Sequence, residues 1–399
     1  MQWLRVLATE RAYWLAWSRI EQVGPVAIKR LWEHFGSLEA AWRTPAKDLL
    51  AVDGIGLLTA GKISAQRPKI NPERLLAQHE KENQSFWTPA DSDYPALLFA
   101  INDPPPVLYY RGNLRLNALS NVLTVGMVGT RRPSPYGQRW TRRISGRLTR
   151  EGAVIVSGLA AGVDTAAHES CLQNQGLTVA VLGTGVDRVY PQQNTSLYEK
   201  ILATGLVASE YPDGTGPDRT HFPQRNRIIA GLSRATLVME APERSGALIT
   251  SRLANEYCRE VYALPCGLDN QTGTGCLKLI EQGAQMILSE EGLAEALAAI
   301  PPMDLLGVQA SAVESDAGGL TEKAALTDKT NYSPAKTSES PELSPLLSQV
   351  LEAVSIEPVV FDRIVQVAQV ETGQVLGALV QLELLGLVTQ LPGMQYQRG

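Results

Sequence analysis

At 399 residues the chain exceeds one ordinary domain and suits two or three. Apolar residues make up 44% and charged residues 19%, a balance that excludes a disordered chain. The net charge of −5 argues against a protein coated in nucleic acid, and no uncharged apolar run approaches the roughly 18 residues that span a bilayer.

The first residues, MQWLRVLATERAYW, carry Glu10 and Arg11 where a secretory leader needs its apolar stretch, so a cytoplasmic protein with no membrane partner is expected. Residues 1–83 read as helical. Within them LLAVDGIGLLTAGKI (49–63) has the pattern of a helix-hairpin-helix, whose turn offers backbone N–H groups to one phosphate. A weaker copy, IEQVGPVAIKRLWEHFG (20–36), precedes it. A purely structural hairpin explains the pattern equally well.

Residues 84–300 alternate short β-branched runs with helical stretches. The runs are LTVGMVGT (123–130), AVIVSGL (153–159), TVAVLG (178–183), LVASEY (206–211), ATLVMEA (235–241), VYALP (261–265) and QMIL (285–288). They are uniformly apolar rather than alternating, as parallel strands covered on both faces must be. Helical segments between them predict a Rossmann-like, doubly wound, mostly parallel α/β sheet. Residues 301–343 lack periodicity and read as a flexible linker. Residues 344–399 read as three helices and a short β tail, a small winged helix.

Gly and small polar residues follow the strands: Gly129-Thr130-Arg131-Arg132, Ser157-Gly158, Gly183-Thr184-Gly185 and Ser245-Gly246. In an open parallel sheet these lie at the carboxyl edge, where ligands bind and helix N-termini present free N–H groups to anions. Tight turns need Gly in any case, but four together predict a phosphate-binding crevice. GxGxxG and GxxxxGK[ST] are absent, so neither NAD binding nor ATP hydrolysis is expected, and no cofactor.

Seven arginines and no acid lie between Gly129 and Arg150. Arg131 and Arg132 sit where the first core helix begins and can reach the crevice. Arg139, Arg143, Arg147 and Arg150 form a helical stripe beside Trp140, Ile144 and Leu148, which reads as a solvated face. The segment His221-Phe222-Pro223-Gln224-Arg225-Asn226-Arg227 opens a helix with an aromatic ring and alternating Arg-Asn-Arg. Arg forks grip phosphates, and Phe and Asn can stack on bases and hydrogen-bond to them. The alternative is a helix start whose arginines pair with Glu210 or Glu240. Asp164 reads as the N-cap of its helix.

Cys171, Cys258, Cys266 and Cys276 have no zinc or redox spacing and read as core fillers. His34, His79, His168 and His221 form no HExxH, so no metal site is expected. The would-be recognition helix of the winged module, ETGQVLGALVQLELLG, has no Lys or Arg, which makes DNA phosphates a poor target for it and a protein contact or regulation the better expectation.

From about Asp93 to Ala284 the ordered motifs YPALLFAINDPPPVLYYRGNL, VGTRRPSPYG, SGLAAGVDTAAH, VAVLGTGVDRVYP, SEYPDG, FPQRNRIIAGLS, EAPERSGALIT and LIEQGA resemble the bacterial DNA-processing protein A (DprA/Smf) family. The resemblance implies single-stranded DNA bound in a basic pocket of the core, protection of that DNA in natural transformation, and its loading with a RecA-type recombinase. It also implies a homodimer through the far end of the core, and a protein that is not an enzyme. By motif it implies DNA-binding roles for Arg131, for Phe222, Arg225, Asn226 and Arg227, and for Ser245 and Gly246. Gly129, Arg132, Ser157 and Gly158 join them from the reading of the turns. Pro265-Cys266-Gly267 and Gly273-Thr274-Gly275-Cys276 depart from the family's Pro-Gly and Gly-Thr-Asn, and carry no assignment. The competing expectation is a nucleotide N-glycosidase of the lysine-decarboxylase-like group, with Glu240 or Glu243 as its acid.

Overall fold

A computed structural model describes residues 2–83, 85–114, 122–301, 345–355, 359–370, 372–384, 387–391 and 395–398. The chain divides into two compact units, one within residues 1–320 and one within 321–399. The expected linker, 301–343, lies outside the described residues apart from Pro301.

Five helices open the first unit: α1 (Gln2–Trp17), α2 (Pro25–Phe35), α3 (Leu38–Arg43), α4 (Leu57–Gln66) and α5 (Pro72–Glu82). They enclose Trp14, Trp17, Leu31, Leu38, Leu49 and Ile63, all buried, and the buried Trp17 indole N–H donates to the Leu38 carbonyl. The expected helix-hairpin-helix is realised with a first arm of only one 3-10 turn, Asp48–Ala51. The chain then turns through Gly54 at φ +82° into α4. Its weaker copy is the turn from α1 into α2, which opens on Gly24.

The core follows: β1 (Phe86–Trp87), α6 (Ala96–Phe99), β2 (Leu108–Gly112), β3 (Thr124–Val128), α7 (Pro135–Arg150), β4 (Val154–Ser157), α8 (Val163–Gln173) and β5 (Thr178–Leu182). It continues with α9 (Thr195–Thr204), β6 (Leu206–Ser209), α10 (His221–Leu232), β7 (Ala235–Val238), α11 (Gly246–Glu256), β8 (Glu260–Ala263), α12 (Thr274–Glu281), β9 (Gln285–Met286) and α13 (Glu290–Ala298). The sheet runs β1-β2-β6-β5-β4-β3-β7-β8-β9. Strands β3 to β9 are all parallel, as their continuous apolar runs predict. The antiparallel edge pair β1–β2 was not predicted.

Strand order reverses at β3, which pairs with β4 on one side and β7 on the other. This switch point opens a crevice at the carboxyl ends of β3, β4 and β7. Two apolar layers hold the sheet from its two faces. Val156, Val181, Ile228 and Leu232 belong to one, and Met127, Ile144, Ile155 and Leu237 to the other.

The second unit is a winged helix: α14 (Pro345–Glu352), β10 (Val359–Val360), α15 (Phe361–Ala368), α16 (Thr372–Leu384), β11 (Val388–Leu391) and β12 (Gln395–Arg398). Its antiparallel sheet has the order β10-β12-β11. Val350, Val354, Ile364, Val375, Leu379 and Leu382 form its core.

Candidate nucleic-acid interface

A cleft of about 710 Å³ lies at this switch point. Gly129, Thr130, Arg131 and Arg132 reach it from the end of β3, Ala160 and Asp164 from the end of β4, and Tyr190 from the loop after β5. Arg219, Phe222, Pro223, Arg225, Asn226 and Ile229 come from α10 and its approach, and Arg244, Ser245 and Gly246 from the start of α11. Among the described residues no carboxylate pairs with Arg131, Arg132, Arg219 or Arg244, all exposed. A concave site lined by several unpaired guanidinium groups favours a polyanion.

The floor is built around Arg225. Its guanidinium is buried and donates to the carbonyls of Gly158, at 2.6 Å, and Val181. Burial pulls its pKa down to about 10, against the pull of Asp164 in the other direction. A Cβ on Gly158 would stand 2.5 Å from that guanidinium, so the turn after β4 requires glycine for close approach. Asp164 is also buried, and burial raises its pKa against the opposing effects of Arg225 and of N–H donors. Its carboxylate accepts from the backbone N–H groups of Gly158 (3.1 Å) and Ala160 (3.2 Å). Gly162, not Asp164, is the N-cap of α8. The expected cap is therefore corrected: Asp164 lies one residue inside the helix and folds the preceding turn under Arg225.

Phe222 forms an aromatic wall. A Cβ on Gly183 would stand 2.9 Å from its ring, so this second glycine lets the ring lie against the β5 turn. The Arg131 guanidinium is 5.4 Å from the Phe222 ring centre, a cation–π distance. Tyr190 lies 5.4 Å from the same ring, centre to centre. Asn226 Nδ2 donates to the Gly246 carbonyl at 3.1 Å, tying α10 to α11. Ser245 caps α11 by accepting from the Ala247 N–H, with Gly246 exposed beside it.

The cleft thus brings together Gly129, Arg131, Arg132, Phe222, Arg225, Asn226, Ser245 and Gly246. Three expected residues stand elsewhere. Ser157 is fully buried and its hydroxyl donates to the Met127 carbonyl at 2.6 Å. Gly158 contributes its backbone to Arg225 and Asp164 beneath the surface. Arg227 is buried on the opposite side of α10, ion-paired to Glu210 and to Asp103 (3.6 Å) and donating to the Asp103 carbonyl at 2.7 Å. Burial disfavours its charge, but the two carboxylates outweigh it and raise its pKa. For Arg227 the Glu210 pairing considered from sequence is the one observed.

Arg219, Arg244 and Tyr190 were missed. Each lies in a Pro- or Gly-rich loop, where a lone Arg or Tyr has no periodicity to mark it. The α7 stripe behaves as a solvated face: Arg143 pairs with Glu290 at 2.5 Å, Arg147 with Glu151 at 2.8 Å, and Arg150 bonds Asn174 at 2.7 Å. Glu240, the candidate acid, is buried outside the cleft. It accepts from the Ser134 N–H and hydroxyl, Asn270 and Thr272 at 2.7–2.9 Å. Burial alone raises its pKa, but these donors hold it below the usual carboxylate value. Glu243 is exposed and pairs with Lys278 at 3.4 Å. Cys171 and Cys276 are buried as expected of core fillers, whereas Cys258 is exposed and Cys266 half-buried.

Among the described residues there is no cluster of three metal-ligating side chains, and no helix long and apolar enough to cross a membrane. The family model for DNA recombination-mediator protein A matches residues 85–298, and one for the DprA winged helix domain matches 334–394. A curated relative, Protein Smf of Synechocystis sp., is 50% identical over 98% of this chain and 99% of its own. DNA processing protein DprA of Streptococcus pneumoniae is 45% identical over 58% of this chain and 83% of its own. An X-ray structure of DNA processing protein A from Streptococcus pneumoniae superposes with a TM-score of 0.62. Its identity is 34%, covering 73% of this chain and 98% of that one.

Proposed function

Because the chain belongs to the DNA recombination-mediator protein A family, we propose that its cleft binds single-stranded DNA without chemical change, protects it in natural transformation and presents it to a RecA-type recombinase. The carrying observation is the cleft itself, which four unpaired arginines and Phe222 line at the sheet's switch point, with Arg131 5.4 Å from the Phe222 ring. Guanidinium groups serve the backbone, and the half-buried Phe222 ring serves a base that an unpaired strand can turn toward it. A volume in the range of small-molecule sites has room for unstacked nucleotides. The DNA-contacting set is Gly129, Arg131, Arg132, Phe222, Asn226, Ser245 and Gly246, joined by Arg219 and Arg244, with Arg225 as their floor.

The reading places the protein in the cytoplasm, without cofactor or metal. It keeps residues 1–83 as a helical domain, 84–300 as the DNA-binding core, 301–343 as a linker and 344–399 as the winged helix. A homodimer is assigned to the open sheet edge at β9, where Met286 and Leu288 are 44% and 82% exposed. Against the glycosidase alternative, Glu240 already holds four hydrogen bonds away from the cleft and Glu243 is paired with Lys278.

Titration of single-stranded and duplex DNA at several salt concentrations tests the proposal. The single strand is expected to bind more tightly, and each phosphate contact contributes about −0.7 to the slope of log affinity against log salt. Arg131→Ala combined with Arg244→Ala should flatten that slope by about 1.4. A folded double variant with the wild-type slope would remove the cleft as the DNA site.

A further inference from the structure

Tyr190 lines the cleft beside Phe222, and the DNA reading gives it no role. It sits in the loop between β5 and α9 and is 41% exposed. Among the described residues its hydroxyl has no hydrogen-bond partner. Its ring faces Phe222 at 5.4 Å between centres, with the planes 36° apart. Two other aromatic pairs in this protein are closed stacks: Trp87–Tyr110 at 3.6 Å and 11°, and Tyr211–His221 at 3.9 Å and 22°. The Tyr190–Phe222 pair is thus held neither in stacking contact nor edge to face, and both of its rings line the cleft.

We propose that Tyr190 and Phe222 form a two-walled subsite that takes one unpaired nucleobase between their rings. The proposal rests on the single-stranded DNA reading and deepens it. A base has two π-faces, and a single ring covers one of them. A second ring covers the other and removes more apolar surface from water. Opening the wedge to admit a base requires the exposed Tyr190 to rotate, and among the described residues this breaks no hydrogen bond of its side chain. Phe222 is backed by the β5 turn at Gly183 and keeps its place. Arg131, 5.4 Å from the Phe222 ring, stands where it can hold the phosphate of the same nucleotide. Such a subsite accepts any base and refuses a paired one, so it selects for strandedness rather than sequence.

The test uses full-length wild type, Tyr190→Ala and Tyr190→Phe, each checked for folding by circular dichroism. The probes are oligothymidylate, an abasic strand of equal length, and an oligothymidylate carrying 2-aminopurine, whose fluorescence is quenched by stacking. For Tyr190→Ala we expect an affinity loss on the order of tenfold for oligothymidylate. Its salt slope and its affinity for the abasic strand should be unchanged, and 2-aminopurine quenching reduced. Tyr190→Phe should restore both affinity and quenching. Equal losses on base-bearing and abasic strands would assign Tyr190 a structural or phosphate role and overturn the subsite, as would wild-type behaviour of Tyr190→Ala or failure of Tyr190→Phe to rescue. A wild type that binds neither strand would instead remove the DNA reading itself.

Discussion

Arg225 and Arg227 are two residues apart on α10, and two residues of a helix turn the side chain through about 200°. One therefore faces the cleft and the other its back. Phe222, Arg225, Asn226 and Ile229 follow the spacing of one helical face, and all four line the cleft. The sequence offers the alternating Arg-Asn-Arg either as DNA contacts or as partners of Glu210 or Glu240, and a helix starting at His221 divides the two arginines between those roles. Arg227 holds two carboxylates, Glu210 and Asp103, in a largely buried network that the Tyr257 hydroxyl joins at 2.6 Å from Asp103. Removing one partner of such a network leaves charge unpaired. Arg227→Ala should therefore lose about 3–5 kcal/mol of stability in chemical denaturation. The remaining folded protein should keep the wild-type salt slope for DNA. A stable Arg227→Ala protein with a flattened slope would return Arg227 to the DNA interface.

At the scale of elements, α5 is latched to β2 through His79. The Tyr109 hydroxyl lies 2.7 Å from His79 Nε2, and Asn83 Nδ2 lies 3.1 Å and Arg19 3.4 Å from Nδ1. Two donors at Nδ1 assign the proton to Nε2, so the ring is neutral and donates to Tyr109. Burial, helped by Arg19 and Arg11 against Glu82, lowers its pKa to about 4. The unfolded chain binds this proton near pH 6.5 and the folded one only near 4. The latch thus contributes fully above 6.5, and its contribution falls as pH drops toward 4. In that window His79→Gln should reduce the pH dependence of unfolding free energy by at most about 1.4 kcal/mol per pH unit. His168, buried with a pKa of about 3, supplies a similar slope in both proteins. Identical pH profiles for the two proteins would refute the neutral latch. Elements such as β3, β4, β5 and β7 were legible because strands covered on both faces carry unbroken apolar runs. β1 and β2 were not: one has two residues, and the other is an antiparallel strand that follows Pro104, Pro105 and Pro106 and ends in exposed Gly112. The Gly turns at strand ends revealed the crevice, whereas Arg219, Arg244 and Tyr190 enter it through irregular loops that carry no period.

For the whole molecule, the net charge hides an opposition. Residues 301–399 hold twelve acids and five bases, so residues 1–300 carry +2 within a chain of −5. The proposed DNA cleft lies wholly in that more basic part, while α16 brings no Lys or Arg to the winged helix. A winged helix that reads DNA needs cations near the phosphates, and here the surplus is acidic. Ending the chain after Leu320 removes nine acids and five bases, keeps the first compact unit, and leaves Pro301, whose carbonyl accepts from Arg234. Loss of four net negative charges lowers the repulsion that an incoming strand meets, an effect that salt screens. The truncated protein should therefore bind single strands at least as tightly as the full chain at low salt. Its salt slope should be the same, because the phosphate contacts are the same. A tenfold or greater loss of affinity in a truncated protein that folds normally would place part of the DNA-binding surface in the acidic module after all.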